Sequence, residues 1–267
     1  MNLRFIVIMM MLVSLCSCGS MNYKIPNNNN KAVAHRGAWK QNNFPENSIA
    51  SLKHAIELGC AGSEFDVRMT ADSVLIINHD AHYNGLLVED TKYEDLIKFK
   101  LSNGEKLPTL KEYLIVGMTN NTTTGLVCEI KPSKDKARGK FIARKVVNLV
   151  KDLKATPYLA FYISFDYDIL KEITKISQTK TQYLKGSKSP DQVKADGISG
   201  IDYHLKVFKE HPEWIKRSKE IGVVLNAWTA NTPEDLDWLL SNNFDFITTN
   251  EPELLLKKVS FLKLQNY

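Results

Sequence analysis

From Lys31 to the C-terminus of this 267-residue chain, short apolar runs alternate with amphipathic helical patterns. The runs Ala32 to His35, Gly62 to Val67, Gly125 to Lys131, Leu159 to Phe165, Thr179 to Leu184, Gly197 to Asp202, Val223 to Trp228 and Phe244 to Thr248 predict eight strands. Short apolar segments bounded by turn residues suit strands that are buried on both faces. Between them, "SIASLKHAIELGC" places Ile49, Leu52 and Ile56 at helical spacing behind the helix-start chemistry of Pro45-Glu46-Asn47. The stretches "KFIARKVVNLVKDL", "YDILKEITKIS", "HPEWIKRSKEIG" and "TPEDLDWLLSNN" keep the same period. Eight strand-helix units predict an α/β fold, a (β/α)8 TIM barrel, whose usual size is about 250 residues. An open doubly wound sheet is the alternative. One segment breaks the alternation: Val74 to His79 alternates as a strand does, and Asn84-Gly85, a second short run and Pro108 follow before a helix. It predicts a small strand and loop insertion after the second barrel strand.

The N-terminal pattern is different. Arg4 precedes an apolar run from Phe5 to Leu15, too short for a comfortable membrane span and laid out like a secretory signal. Leu15-Cys16-Ser17-Cys18 resembles the bacterial lipobox, which predicts a signal peptide over residues 1–17 and a lipidated Cys18 as the mature N-terminus. Residues 18–30, polar and Asn-rich, read as a flexible tether, and residues 31–267 as the folded domain. The expected location is therefore outside the cytoplasm, lipid-anchored to a bacterial membrane on its periplasmic or surface face.

Composition narrows the chemistry. With 43% hydrophobic and 24% charged residues the chain is neither disordered nor strongly one-signed, and its net charge is +5. No basic cluster with interleaved aromatics points to nucleic acid. Beyond Cys16 and Cys18 only Cys60 and Cys128 remain, without zinc spacing or a disulfide framework, so two free, mostly buried thiols are expected.

In a barrel of this kind the chemistry sits at the C-terminal ends of the strands. There the sequence places His35 and Arg36 after the first strand, Glu64 and Asp66 two apart on the second, and Glu129 and Lys131 two apart on the third. His79-Asp80 ends the alternating run, Trp228 ends the seventh strand, and Asn250 follows the eighth. Glu64, Asp66 and Glu129 on one rim would repel one another unless a cation held them, and an all-oxygen set suits one Ca²⁺ or Mg²⁺. Taken alone, Glu64 and Asp66 also read as an exposed edge pair.

The motifs "HRG", "PENS", "EFDVRMTADSVLIINHD", "CEIK", "NAWTANTPED" and "FITTNEP" follow in one order from about Val33 to Pro252. The chain thereby resembles the glycerophosphodiester phosphodiesterase family. The resemblance implies a barrel hydrolase that cleaves glycerophosphodiesters to glycerol 3-phosphate and an alcohol with one divalent cation. It implies that Glu64, Asp66 and Glu129 hold the metal, that His35 and His79 form the acid-base pair, and that Arg36 grips the phosphate with help from Lys131. Glu46 would support His35 or the metal, and Trp228 would pack against the glycerol. In this family the nucleophile is thought to be the substrate's own glycerol hydroxyl, giving a cyclic phosphate that water opens. The run after His79-Asp80 departs from the family's threonine-rich pattern, which leaves the released alcohol open. Two other readings are a surface lipoprotein that binds phospholipid headgroups without turnover and a sphingomyelinase D-like lyase that cyclises phospholipids.

Overall fold

The computed structural model describes residues 30–265. The predicted signal segment 1–17, Cys18 and the rest of the tether up to residue 29 lie outside the described residues. The chain runs β1 (Ala32–Ala34), α1 (Ile49–Glu57), β2 (Gly62–Met69), β3 (Leu75–Ile77), β4 (His82–Tyr83), β5 (Leu86–Leu87), α2 (Tyr93–Leu96), α3 (Leu110–Met118), β6 (Gly125–Ile130) and α4 (Lys136–Asp152). It continues through β7 (Leu159–Ser164), α5 (Tyr167–Ile176), β8 (Thr181–Tyr183), α6 (Pro190–Ala195), β9 (Gly200–His204), α7 (Leu205–Glu210) and α8 (Glu213–Ile221). The last elements are β10 (Val224–Trp228), α9 (Pro233–Ser241), β11 (Phe246–Thr249) and α10 (Pro252–Gln265).

Strands β1, β2, β6, β7, β8, β9, β10 and β11 pair in parallel in that order, and β11 also pairs with β1. The sheet therefore closes into the eight-stranded barrel that the alternation predicts, and the open-sheet alternative is excluded. The inserted segment adds β3, antiparallel to the end of β2 through Val67↔Ile77, and the hairpin β4-β5. Asn84 and Gly85 turn that hairpin with φ of 47° and 82°, the left-handed pair that a tight two-residue turn requires.

Closure divides each strand's side chains between two environments. Phe65, Val67, Cys128, Ile130 and Tyr162 point outward into the shell under α1, α3 and α4. Ile201, Tyr203, Leu225, Ala227 and Ile247 do the same on the other half of the barrel. Inward, Val33, Val127, Phe161, Val224 and Phe246 fill one layer of the barrel. The next inward positions along the same strands are His35, Glu129, Ile163, Asn226 and Thr248, because side chains two apart share a face. One apolar layer thus plugs the barrel, and a layer above it that is polar except for Ile163 faces the C-terminal rim. Ser48, Thr109, Asp135, Asp166, Ser189 and Thr232 each cap a helix that follows a barrel strand or its insertion. Such caps contribute about 1 kcal/mol each and fix where the rim loops hand over to helix. Cys60 and Cys128 are free and buried, as expected, and burial raises both thiols, Cys60 to about 12.

Candidate active site

His35 follows β1 directly, tied to the barrel by its N–H to the Thr249 carbonyl at 3.0 Å. Its Nδ1 lies 2.7 Å from Asn250 Oδ1, an acceptor, so Nδ1 carries the proton and Nε2 keeps its lone pair. Burial, reinforced by the neighbouring Arg36 cation, lowers its pKa to about 4. Arg36 adopts φ of 57° and Gly37 φ of 81°, so the chain turns sharply away from the rim. A side chain at Gly37 would meet Ser51 Oγ at 2.4 Å, so only glycine fits there. The turn aims the Arg36 N–H at Glu64 Oε2, 2.8 Å away, and sends the guanidinium over the carboxylates.

Glu64 and Asp66 share the inward face of β2, and the register pairs Asp66 with Glu129 of β6. The three are 2%, 1% and 6% exposed. One oxygen from each lies within 4.8 Å of the other two. Lys131 Nζ joins Asp66 Oδ1 at 2.9 Å and Glu129 Oε1 at 2.8 Å. Burial would raise Asp66, but Lys131, His79 and the Asn47 amide outweigh it and hold the carboxyl at about 2. Glu129 is pushed up to about 7 by burial and by Asp66, and Glu64 rises well above the carboxylate range for the same reasons. Glu64 Oε1 is buried without a hydrogen-bond partner. An oxygen-only trio with one ammonium among three carboxyls and an orphaned buried oxygen fits a hard divalent cation.

His79 ends the predicted run, but β3 stops at Ile77 and leaves His79 two residues beyond it. The Arg68 guanidinium captures the His79 carbonyl with Nε at 2.9 Å and Nη2 at 2.8 Å, which pulls this backbone out of the ladder. His79 Nδ1 contacts Asp80 Oδ1 at 2.7 Å, and the ring is about a third exposed. Burial lowers its pKa, while Asp66 and Asp80 pull the other way. Glu46 bonds Arg36 Nη1 and not His35, so its carboxylate orients the guanidinium. Arg36 Nε, 3.7 Å from Asp66 Oδ2, has no hydrogen-bond partner of its own. Trp228 anchors its indole N–H on the Asp202 carbonyl at 2.9 Å and stands edge-on to Phe165 and His204 at 5.5 and 5.1 Å.

A cavity of about 100 Å³ at the C-terminal rim collects His35, Arg36, Glu64, His79, Glu129, Lys131 and Trp228, with Phe165 and Asp202 among its other walls. The candidates from the sequence meet here except Asp66, which lies under Lys131, Glu46, which reaches the site through Arg36, Asn250 and Asp80, which reach it through His35 and His79, and Cys18, outside the described residues. The inserted segment contributes His79 and no other wall residue. Asn47 escaped the sequence reading. With φ of 59° it donates to Asp66 Oδ2 at 2.8 Å and accepts from the Asp66 N–H at 3.1 Å. Its available sign was an asparagine in "PENS", since asparagine tolerates the left-handed conformation. Arg68 and Asp202 were equally unmarked.

Residues 35–254 match the model of the glycerophosphoryl diester phosphodiesterase family. A glycerophosphodiester phosphodiesterase of Caldanaerobacter subterraneus is 30% identical over 242 residues, covering 85% of this chain and 96% of its own. The crystal structure of a glycerophosphodiester phosphodiesterase from Parabacteroides distasonis is 39% identical, with a TM-score of 0.85 over 88% of this chain and 98% of its own. An Oleispira antarctica phosphodiesterase, solved with the product sn-glycerol-3-phosphate, shares the fold at 20% identity, with a TM-score of 0.72 over 86% of this chain and 96% of its own. With a matching barrel and a family match over most of its length, the chain belongs to the glycerophosphoryl diester phosphodiesterase family and is an enzyme of that family.

Proposed function

We propose that this chain hydrolyses glycerophosphodiesters to glycerol 3-phosphate and an alcohol, with His35 and His79 as the acid-base pair and one divalent cation, Ca²⁺ or Mg²⁺, held by Glu64, Asp66 and Glu129. The observation that carries the reading is the meeting of two imidazoles and a guanidinium over a buried carboxylate trio in one rim cavity. The cation supplies charge neutralisation at the phosphate oxygens. Arg36 adds a fork that meets two of those oxygens, and Lys131 a further positive charge beside them. Both favour the transition state, in which the phosphodiester gains negative charge.

The two histidines differ in the way such chemistry needs. His35, with Nδ1–H committed to Asn250 and a pKa near 4, is neutral at pH 7 with Nε2 open, and it takes the proton from the attacking hydroxyl. His79, with Asp80 on Nδ1, is the better proton donor, and it protonates the departing alkoxide. Trp228 offers a fixed aromatic wall to the glycerol carbons.

The test is release of glycerol 3-phosphate from a glycerophosphodiester with Ca²⁺ or Mg²⁺ present. His35→Ala and His79→Ala should each lose about 10²–10⁴-fold in kcat, and Glu64→Ala or a chelator should remove nearly all activity. Undiminished turnover by His35→Ala overturns the mechanism. Accumulation of a cyclic phosphate that is never opened would mark a lyase, and binding without turnover a headgroup receptor.

For location, the lipobox-like Leu15 to Cys18 supports residues 1–17 as a signal peptide, Cys18 as a diacylated anchor and residues 18–30 as the tether. One acyl chain binds membranes only marginally and two hold firmly. Mass spectrometry of the chain from its native host should find a lipid-modified Cys18; recovery with a free Cys18 would sink this placement.

A further inference from the structure

Asp202 stands apart from the machinery described so far. It sits inward on β9, 1% exposed, as one wall of the rim cavity beside Trp228, Leu184 and Ile163. Its Oδ1 is buried with no hydrogen-bond partner, and among the described residues no cation pairs with it. Asn226 is its register neighbour on β10, but that amide turns to Gln182 Oε1 at 3.4 Å and accepts from Thr248 Oγ1 at 3.3 Å. A buried carboxyl without a partner is costly to keep, and its position on a cavity wall gives it a use when a ligand arrives.

The chemistry of the cavity selects the ligand group. Arg36 and Lys131 offer the cations that a phosphate needs, whereas a carboxyl brings no positive charge to it. A carboxyl therefore suits a neutral hydroxyl extending from the phosphate along the Trp228 side. We infer that Asp202 recognises a hydroxyl of the glycerol moiety and so makes the site selective for glycerol-bearing phosphates. This rests on the glycerophosphodiester reading above. Burial, with a smaller push from Glu129, raises its pKa well above the usual range, so the neutral carboxyl both donates and accepts. Trp228 is tied to the same residue through the Asp202 carbonyl, so the ring that would cover the glycerol carbons and the group that would bond its hydroxyl move as one unit. A site built to bond a hydroxyl discriminates strongly against a ligand that lacks it.

The experiment compares calorimetric binding of sn-glycerol 3-phosphate and of methyl phosphate to the whole chain with Mg²⁺ or Ca²⁺ present. Asp202→Leu should weaken glycerol 3-phosphate by about tenfold or more and leave methyl phosphate unchanged. Asp202→Asn, which keeps a donor and an acceptor, should hold glycerol 3-phosphate within a few-fold of wild type. Retained glycerol 3-phosphate affinity in the Leu variant overturns the inference and assigns the carboxyl to a buried water in the barrel. Equal weakening of both ligands in the folded Asn variant overturns it too, since the effect would then be general to the site. If the wild-type chain neither prefers glycerol 3-phosphate over methyl phosphate nor turns over a glycerophosphodiester, the underlying reading of the function fails instead.

Discussion

At His35, burial and the adjacent Arg36 cation act in the same direction, and the ring is neutral in the folded chain down to about pH 4. The unfolded chain binds this proton near 6.5, the folded chain only near 4, so across that window protons favour the unfolded state. The stability contributed by the neutral ring is complete above about 6.5 and is lost as the pH falls to about 4, a difference of about 3 kcal/mol. Denaturation of wild type and His35→Gln in a chelator at several pH values should therefore show wild type losing more stability over this range; parallel curves would reject the account. His35, Arg36, Glu64, Asp66 and Glu129 were legible because a polar side chain at a buried strand end needs a use. Asn47, Arg68 and Asp202 were not. Asn47 and Arg68 act by fixing a neighbour, a geometric role without a spacing rule, and Asp202 closed a predicted strand whose position two before it, Gly200, carries no side chain to mark the pair.

The connection from β1 to α1 shows how much of the site depends on backbone. Arg36, Gly37 and Asn47 all have positive φ, and Asn47 N–H returns to the Arg36 carbonyl at 2.9 Å. The loop therefore delivers Arg36 to the phosphate side and the Asn47 amide to Asp66 in one folded unit. Gly37→Ala puts a methyl 2.4 Å from Ser51 Oγ and 2.7 Å from the Ser51 carbonyl carbon in a disfavoured conformation. It should cost about 2–4 kcal/mol, seen as a melting point lower by about 5–15 °C, and should raise KM through the displaced Arg36. Asn47→Ala should weaken divalent-cation affinity by about 10–100-fold in a calorimetric titration, with a smaller loss of stability than Gly37→Ala; unchanged affinity would mean that Asp66 needs no clamp. Strand positions were legible from apolar runs, but their ends were set by pairing. The predicted strand Thr179 to Leu184 pairs only over Thr181–Tyr183, and the last strand begins at Phe246 instead of Phe244. Phe244 belongs instead to the outer shell with Phe208 and Trp238.

For the whole molecule, closing the barrel gathers three carboxyls from two adjacent strands around the single ammonium of Lys131. An eight-stranded barrel was legible from the alternation of runs and helices, and it accounts for the meeting of β2 with β6 across a long insertion, since parallel order makes them neighbours. The energetic consequence is that the folded chain without a cation carries a repulsive core, with Glu64 Oε1 lacking any partner. A divalent cation that binds this trio binds the folded state alone and must stabilise it by mass action, about 2.7 kcal/mol when present at 100 times its Kd. For a domain of this size that corresponds to roughly 5–10 °C in melting temperature. Glu64→Gln removes one anionic ligand and relieves the repulsion. Scanning calorimetry should then find the chelated variant as stable as chelated wild type or more so, while added Ca²⁺ or Mg²⁺ raises its melting point far less than that of wild type. A wild-type melting point indifferent to both chelator and added cation would exclude the trio as a metal site and leave Lys131 and Arg36 as its neutralising partners.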